Sequence, residues 1–208
     1  MSQYKTVEAN KEVNHIIEKS KFIGYVKPVG KEEDAEAFIE SIRTMHKEAT
    51  HNVPIYLIGR QFEVQKYSDD GEPSGTAGIS ILEMLKKEGI TNIAMVITRY
   101  FGGVKLGTGG LVRAYTNTAK LALEAAKVIR MVEHQLIKIK TDYTFLGKIQ
   151  NTINNNGWRI KDTEFGEWVT LYVYCLPEKS KMLEEMMTDL TNGQCEIQNV
   201  AREYLKME

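Results

Sequence analysis

The chain is 208 residues long, 42% hydrophobic and 26% charged, with a formal net charge of -1. That balance fits a globular protein of one or two domains and excludes a bulk polyanion binder, so any nucleic-acid contact has to come from a local patch. No apolar run of roughly eighteen residues is present. The polar start MSQYKTVEANKEVNHIIEKSKF has no apolar signal core, so the expectation is a cytoplasmic protein with no membrane partner.

In chain order, SKFIGYVKPVG reads as a strand closed by Pro28 and Gly30. KEEDAEAFIESIRTMHK is an amphipathic helix with Ala35, Phe38, Ile39 and Ile42 inward and Glu32, Glu33, Glu36 and Glu40 toward water. HNVPIYLIG and FEVQKYS are strands. GISILEMLKKEG is a helix stopped by Gly89. NIAMVIT is apolar at consecutive positions, as a central strand covered on both faces is. An Ala-rich helix, Leu111 to Lys127, follows.

After Arg130 the pattern restarts: strand (HQLIKIKTDYTF), helix (LGKIQNTINNNG), two strands (WRIKDTEFG, WVTLYVYCL), helix (KSKMLEEMMTDLTNG), strand (CEIQNVAREYL). This βαββαβ order is ferredoxin-like. In WVTLYVYCL the set Val169, Leu171, Val173 and Cys175 is the better core candidate, leaving Trp168, Tyr172 and Tyr174 partly exposed. In the last helix Met182, Leu183, Met186, Met187 and Leu190 point inward. Cys175 and Cys195 read as packing residues rather than a disulfide or metal pair. The fold class is therefore α+β, with domains at 1–130 and 131–208. The first holds 18 Lys+Arg against 16 Asp+Glu and the second 9 against 12, which places the likelier anion surface on the first.

Two stretches carry candidate chemistry. RYFGGVKLGTGGLVR places Gly102, Gly103, Gly107, Gly109 and Gly110 between a buried strand and a helix, with Arg99, Lys105 and Arg113 and no acid. Glycine is costly there unless the backbone takes positive φ or approaches something closely. A glycine-rich turn, a helix N-terminus and local positive charge can hold a phosphate or a nucleic-acid backbone. They can equally be a tight turn in which Arg99 pairs with a carboxylate such as Asp69 or Asp70. No Walker ending, Gly-Lys-Ser/Thr, is present.

The second stretch, YSDDGEPSGTAG, crowds Asp69, Asp70 and Glu72 ahead of Ser74, Gly75 and Thr76. It reads as a divalent-cation site, as a second phosphate cradle, or as a hydrogen-bonded turn pairing with Arg99, with Ser74 or Thr76 capping the next helix. His51 reads as a structural histidine before a general base. No catalytic residue, metal or cofactor is expected, since no nucleophile elbow or Ser-His-Asp set stands out.

The segment GITNIAMVITRYFGGVKLGTGGLVRAY, with HNVPIYLIG and YSDDGEPSGTAG before it, closely resembles the IMPACT family and its bacterial, YigZ-type branch. The resemblance implies an N-terminal α/β domain similar to ribosomal proteins and domain IV of elongation factor G. It implies a C-terminal ferredoxin-like domain similar to domain V of that factor. The eukaryotic members regulate translation through an additional protein-binding domain, so their partner mechanism is not carried over. No catalytic residue comes with the resemblance.

The expected function is non-catalytic binding of RNA or the ribosome, with a role in translation regulation or stress response. The alternatives are an enzyme for a small phosphorylated ligand or nucleotide, and a protein-interaction module for a translation factor. The sequence leaves the oligomeric state open.

Overall fold

The structure is a computed structural model in which residues 2–207 are described. Residues 4–130 form one compact unit; residues 131–207 form a second, together with residues 2–3.

The first unit contains β1 (Gln3–Val7, whose first residue falls in the second unit), β2 (Lys11–Ile17), β3 (Ser20–Pro28), α1 (Glu32–Met45), β4 (His51–Ile58), β5 (Val64–Tyr67), α2 (Gly78–Glu88), β6 (Ile93–Tyr100) and α3 (Gly107–Ala126). Strands β2-β3-β6-β4-β5 form an antiparallel sheet with β6 at its centre. The pleat splits β6 between two cores. Ile93, Met95 and Ile97 join Ile81, Leu85, Tyr115 and Ala119 of α2 and α3. Ala94 and Val96 join Ala35, Phe38, Ile39 and Ile42 of α1. The consecutive apolar residues of β6 thus serve opposite faces. Gly89 ends α2 in the left-handed conformation at φ 69°.

The second unit contains β7 (Val128–Thr141, whose first residues precede the division), α4 (Tyr143–Asn155), β8 (Arg159–Phe165), β9 (Val169–Cys175), a 3-10 turn (Pro177–Lys179), α5 (Ser180–Leu190) and β10 (Cys195–Lys206). β10, β7, β9 and β8 are adjacent in that order and pair antiparallel, in a five-stranded sheet that β1 also joins. Val169, Leu171, Val173 and Cys175 face the helices and pack with Ile149, Ile153, Leu183 and Met187. Burial pushes the Cys175 thiol up to about 11, so it remains a neutral packing group.

Two sequence expectations need correction here. Met182 is 45% exposed, because α5 buries a stripe too narrow to include it. Tyr174 is buried: its hydroxyl donates to Glu203 Oε2 at 2.5 Å and Lys161 Nζ lies 5.4 Å from its ring centre. The open face of the second unit therefore shows Trp168 but does not present Tyr174.

Candidate functional site

At the C-terminal end of β6 the sheet brings three residues into register: Arg99 lies opposite Phe22 of β3 on one side and His51 of β4 on the other. Arg99 and Glu72 are both almost wholly buried, and Arg99 Nη1 donates to Glu72 Oε1 at 2.7 Å. The Tyr115 hydroxyl of α3 donates to the same Oε1 at 2.7 Å, and His51 Nε2 stands 3.7 Å from it. Arg99 Nη2 reaches Ser20 Oγ at 3.4 Å, and the guanidinium lies 5.3 Å from the Phe22 ring centre and 5.5 Å from that of Phe101. His51 Nδ1–H donates to the Asp70 carbonyl at 2.7 Å, which fixes its tautomer. Burial and the neighbouring Glu72 carboxylate hold the Tyr115 phenol far above its ordinary range, so it stays protonated. Glu72 Oε1 already takes two hydrogen bonds and Arg99 is permanently charged. This cluster is therefore suited to holding two loops and α3 in place rather than to moving protons.

The acidic loop is consumed in the same way. Asp69 Oδ1 accepts from the Ala77 and Gly78 amides at 3.2 and 2.8 Å, and Oδ2 from the Gly75 amide at 2.8 Å. The carboxylate sits on the N-terminus of α2, where freed amides and the helix dipole favour a negative charge. Asp70 Oδ2 accepts from the Asn52 amide at 2.6 Å, and Oδ1 lies 4.0 Å from Arg43. The expected caps do not form: Thr76 Oγ1 donates to the Pro73 carbonyl, and it is Asp69 rather than Ser74 that closes the helix start. Three carboxylates turned to three different sets of donors do not converge on a cation. Asp69→Ala is expected to destabilise the first unit by about 2 kcal/mol, at the upper end for loss of a cap. Urea unfolding followed by far-UV circular dichroism checks this; a loss under about 0.5 kcal/mol would show that water replaces the carboxylate freely.

The glycine-rich turn divides into a packed half and an open half. The Gly102 amide donates to Ser20 Oγ at 3.1 Å, and a Cβ at Gly102 would lie 2.0 Å from the Lys19 backbone. Gly107 opens α3 at φ 68°, in the left-handed region. Around it Gly103, Lys105, Thr108, Gly109 and Arg113 are exposed. No side chain of the cap residue closes the start of α3, and its first turn carries no acid.

The Impact N-terminal domain family model matches residues 18–123, and a second, Domain of unknown function (DUF1949), matches residues 139–194. "IMPACT family member YvyE" of Bacillus subtilis (strain 168) is 41% identical over 209 residues, covering 99% of this chain and 95% of that protein. The chain belongs to the IMPACT family. "IMPACT family member YigZ" of Escherichia coli (strain K12) is 32% identical, covering 87% of this chain and 90% of its own. A solved structure described as the crystal structure of a hypothetical protein aligns with TM-score 0.62 and 30% identity, over 97% of this chain and 98% of that one.

Within this IMPACT domain the two signature stretches meet as the hydrogen-bonded acidic turn that pairs with Arg99, and the carboxylate that does so is Glu72. Arg99 does not share an exposed face with Lys105 and Arg113; it is buried, and its partner is Glu72 rather than Asp69 or Asp70. Gly102 likewise belongs to the packed half, because its amide is already paired. Lys105, Gly103, Gly107, Gly109, Gly110 and Arg113 remain around the start of α3. Tyr115 was missed. Its signal was available: a tyrosine on the inward face of an Ala-rich helix needs a partner for its hydroxyl.

Proposed function

We propose that the protein binds RNA or the ribosome through the open half of the glycine-rich turn and the start of α3. One contrast carries this reading. The start of α2 is closed by Asp69 of the chain itself, whereas among the described residues no side chain is shown closing the start of α3, which has no first-turn acid and has Lys105 and Arg113 exposed around it. Helix-start amides and nearby cations match a phosphate backbone, which contributes affinity without sequence information. Lys19 is also exposed, and its backbone lies against Gly102. The buried Arg99–Glu72–Tyr115 cluster supports the same reading indirectly, by fixing the turn before any ligand arrives. A role in translation regulation follows if the bound RNA is ribosomal. The phosphorylated-ligand enzyme is disfavoured, because the helix start it would use is occupied by the Asp69 carboxylate.

The test is co-sedimentation with ribosomes and separate subunits at low and moderate salt. The wild-type chain is expected to associate in a salt-sensitive manner. Lys105→Ala/Arg113→Ala is expected to lose most of that association and to lower the salt dependence by about one unit per contact removed. Binding that ignores salt, or that the double variant retains, would place the contact elsewhere.

A further inference from the structure

The second unit contains a cavity of about 370 Å³ where the C-terminal ends of α4, β9 and β10 come together. That volume lies within the range of small-molecule sites. Its apolar wall includes Val132, Leu176, Leu205 and the ring of Trp158. Its polar wall includes His134, Arg159 and Lys179, and no Asp or Glu is among the described lining residues. Trp158 is over nine-tenths buried, and its indole N–H has no hydrogen-bond acceptor among the described residues. His134 is positioned by Nδ1–H, which donates to the Val132 carbonyl at 2.9 Å, so that hydrogen bond leaves Nε2 as the ring nitrogen for another partner. The Cys175 thiol in the wall is neutral and adds no negative charge.

We propose that this cavity binds a small organic anion, with its apolar body against Trp158 and its carboxylate or phosphate group toward Arg159 and Lys179. The site lies wholly within residues 131–207 and does not depend on RNA binding by the first unit. An anion meets the cationic groups of Arg159 and Lys179, and its apolar body lies against the Trp158 ring. A cation would meet Arg159 and Lys179 with no carboxylate among the described lining residues.

The chain has two tryptophans, so its indole N–H region has two resonances. The ¹⁵N-labelled full chain is titrated with benzoate and with phenyl phosphate, which separate the two head groups. Phenol and benzylamine serve as neutral and cationic probes, and Trp168→Phe assigns the signals. The expected result is a saturable shift of the Trp158 resonance with one or both anions, at a Kd below about 1 mM. Trp168, outside the cavity, is expected to stay still. Arg159→Ala/Lys179→Ala, at exposed positions, is expected to weaken binding by about tenfold or more while preserving the rest of the spectrum. Three results overturn the proposal: no shift with either anion, phenol or benzylamine binding as well as the anions, or unchanged affinity in a folded double variant.

Discussion

Arg99→Ala is expected to destabilise the first unit by about 3–5 kcal/mol, the range for breaking a buried ion pair from one side. The cost comes less from the lost attraction than from what remains. Glu72 stays buried with one hydrogen bond, from Tyr115, and His51 is at 3.7 Å. The guanidinium also fills space between the Phe22 and Phe101 rings, so alanine leaves a cavity beside the core. Arg99→Met/Glu72→Gln removes both charges and keeps volume and an acceptor for Tyr115. It is expected to recover at least about 2 kcal/mol of the loss, because a buried pair is often no more stabilising than neutral residues of similar shape. Both tryptophans lie in residues 131–207, so tryptophan emission reports the other unit. Far-UV circular dichroism in urea and amide exchange of β6 are the appropriate readouts. A single-variant cost below about 1 kcal/mol would mean that water reaches Glu72 and that the pair is not a structural lock.

Gly102→Ala is expected to cost about 3 kcal/mol, the upper end for an overpacked site. The new methyl would lie 2.0 Å from the Lys19 carbonyl carbon and oxygen and 2.5 Å from the Ser20 nitrogen. Those are backbone atoms of the β2–β3 hairpin, which cannot swing aside as a side chain can. The displaced hairpin would also pull Ser20 Oγ away from the Gly102 amide and from Arg99 Nη2. On the proposed function, the substitution should therefore weaken ribosome association as well as stability, whereas Lys105→Ala/Arg113→Ala should weaken association alone. A Gly102→Ala chain with unchanged urea midpoint would show that the close approach is relieved by a cheap local shift.

The main elements of both units were legible because their periodicity is strong. The even split of α1 and the unbroken apolar run of β6 each allow one structural solution. The first residues were not legible. β2 is an edge strand whose inward set is only half-buried, and Ile16 is 73% exposed, so its alternation carries little hydrophobic contrast. The sequence reading began α3 at Leu111, yet the helix starts at Gly107. Glycine's low helix propensity argued for a loop there, and packing of Leu111, Ala114 and Tyr115 against the sheet overrides it. The site was half legible. Composition drew attention to the acids and to Arg99, but pairing across 27 positions depends on the fold, and one-dimensional spacing could not choose Glu72 over Asp69 or Asp70. The Trp158 cavity left no trace in the sequence, since its walls come from separate elements.

The ion pair between Glu72 and Arg99 has a bearing on how motifs in such chains are interpreted. Its two stretches are the most recognisable part of the sequence, yet they end in each other rather than in solvent. A chain identified by them is identified by its architecture. Two proteins sharing DDGEPSG and RYFGG can be expected to share the turn and the helix behind it. Their specificities can still diverge at exposed positions such as 105 and 113, which the pair supports without touching. Annotation transferred on the strength of these stretches alone therefore conveys a scaffold; a task has to be assigned from the surface around them.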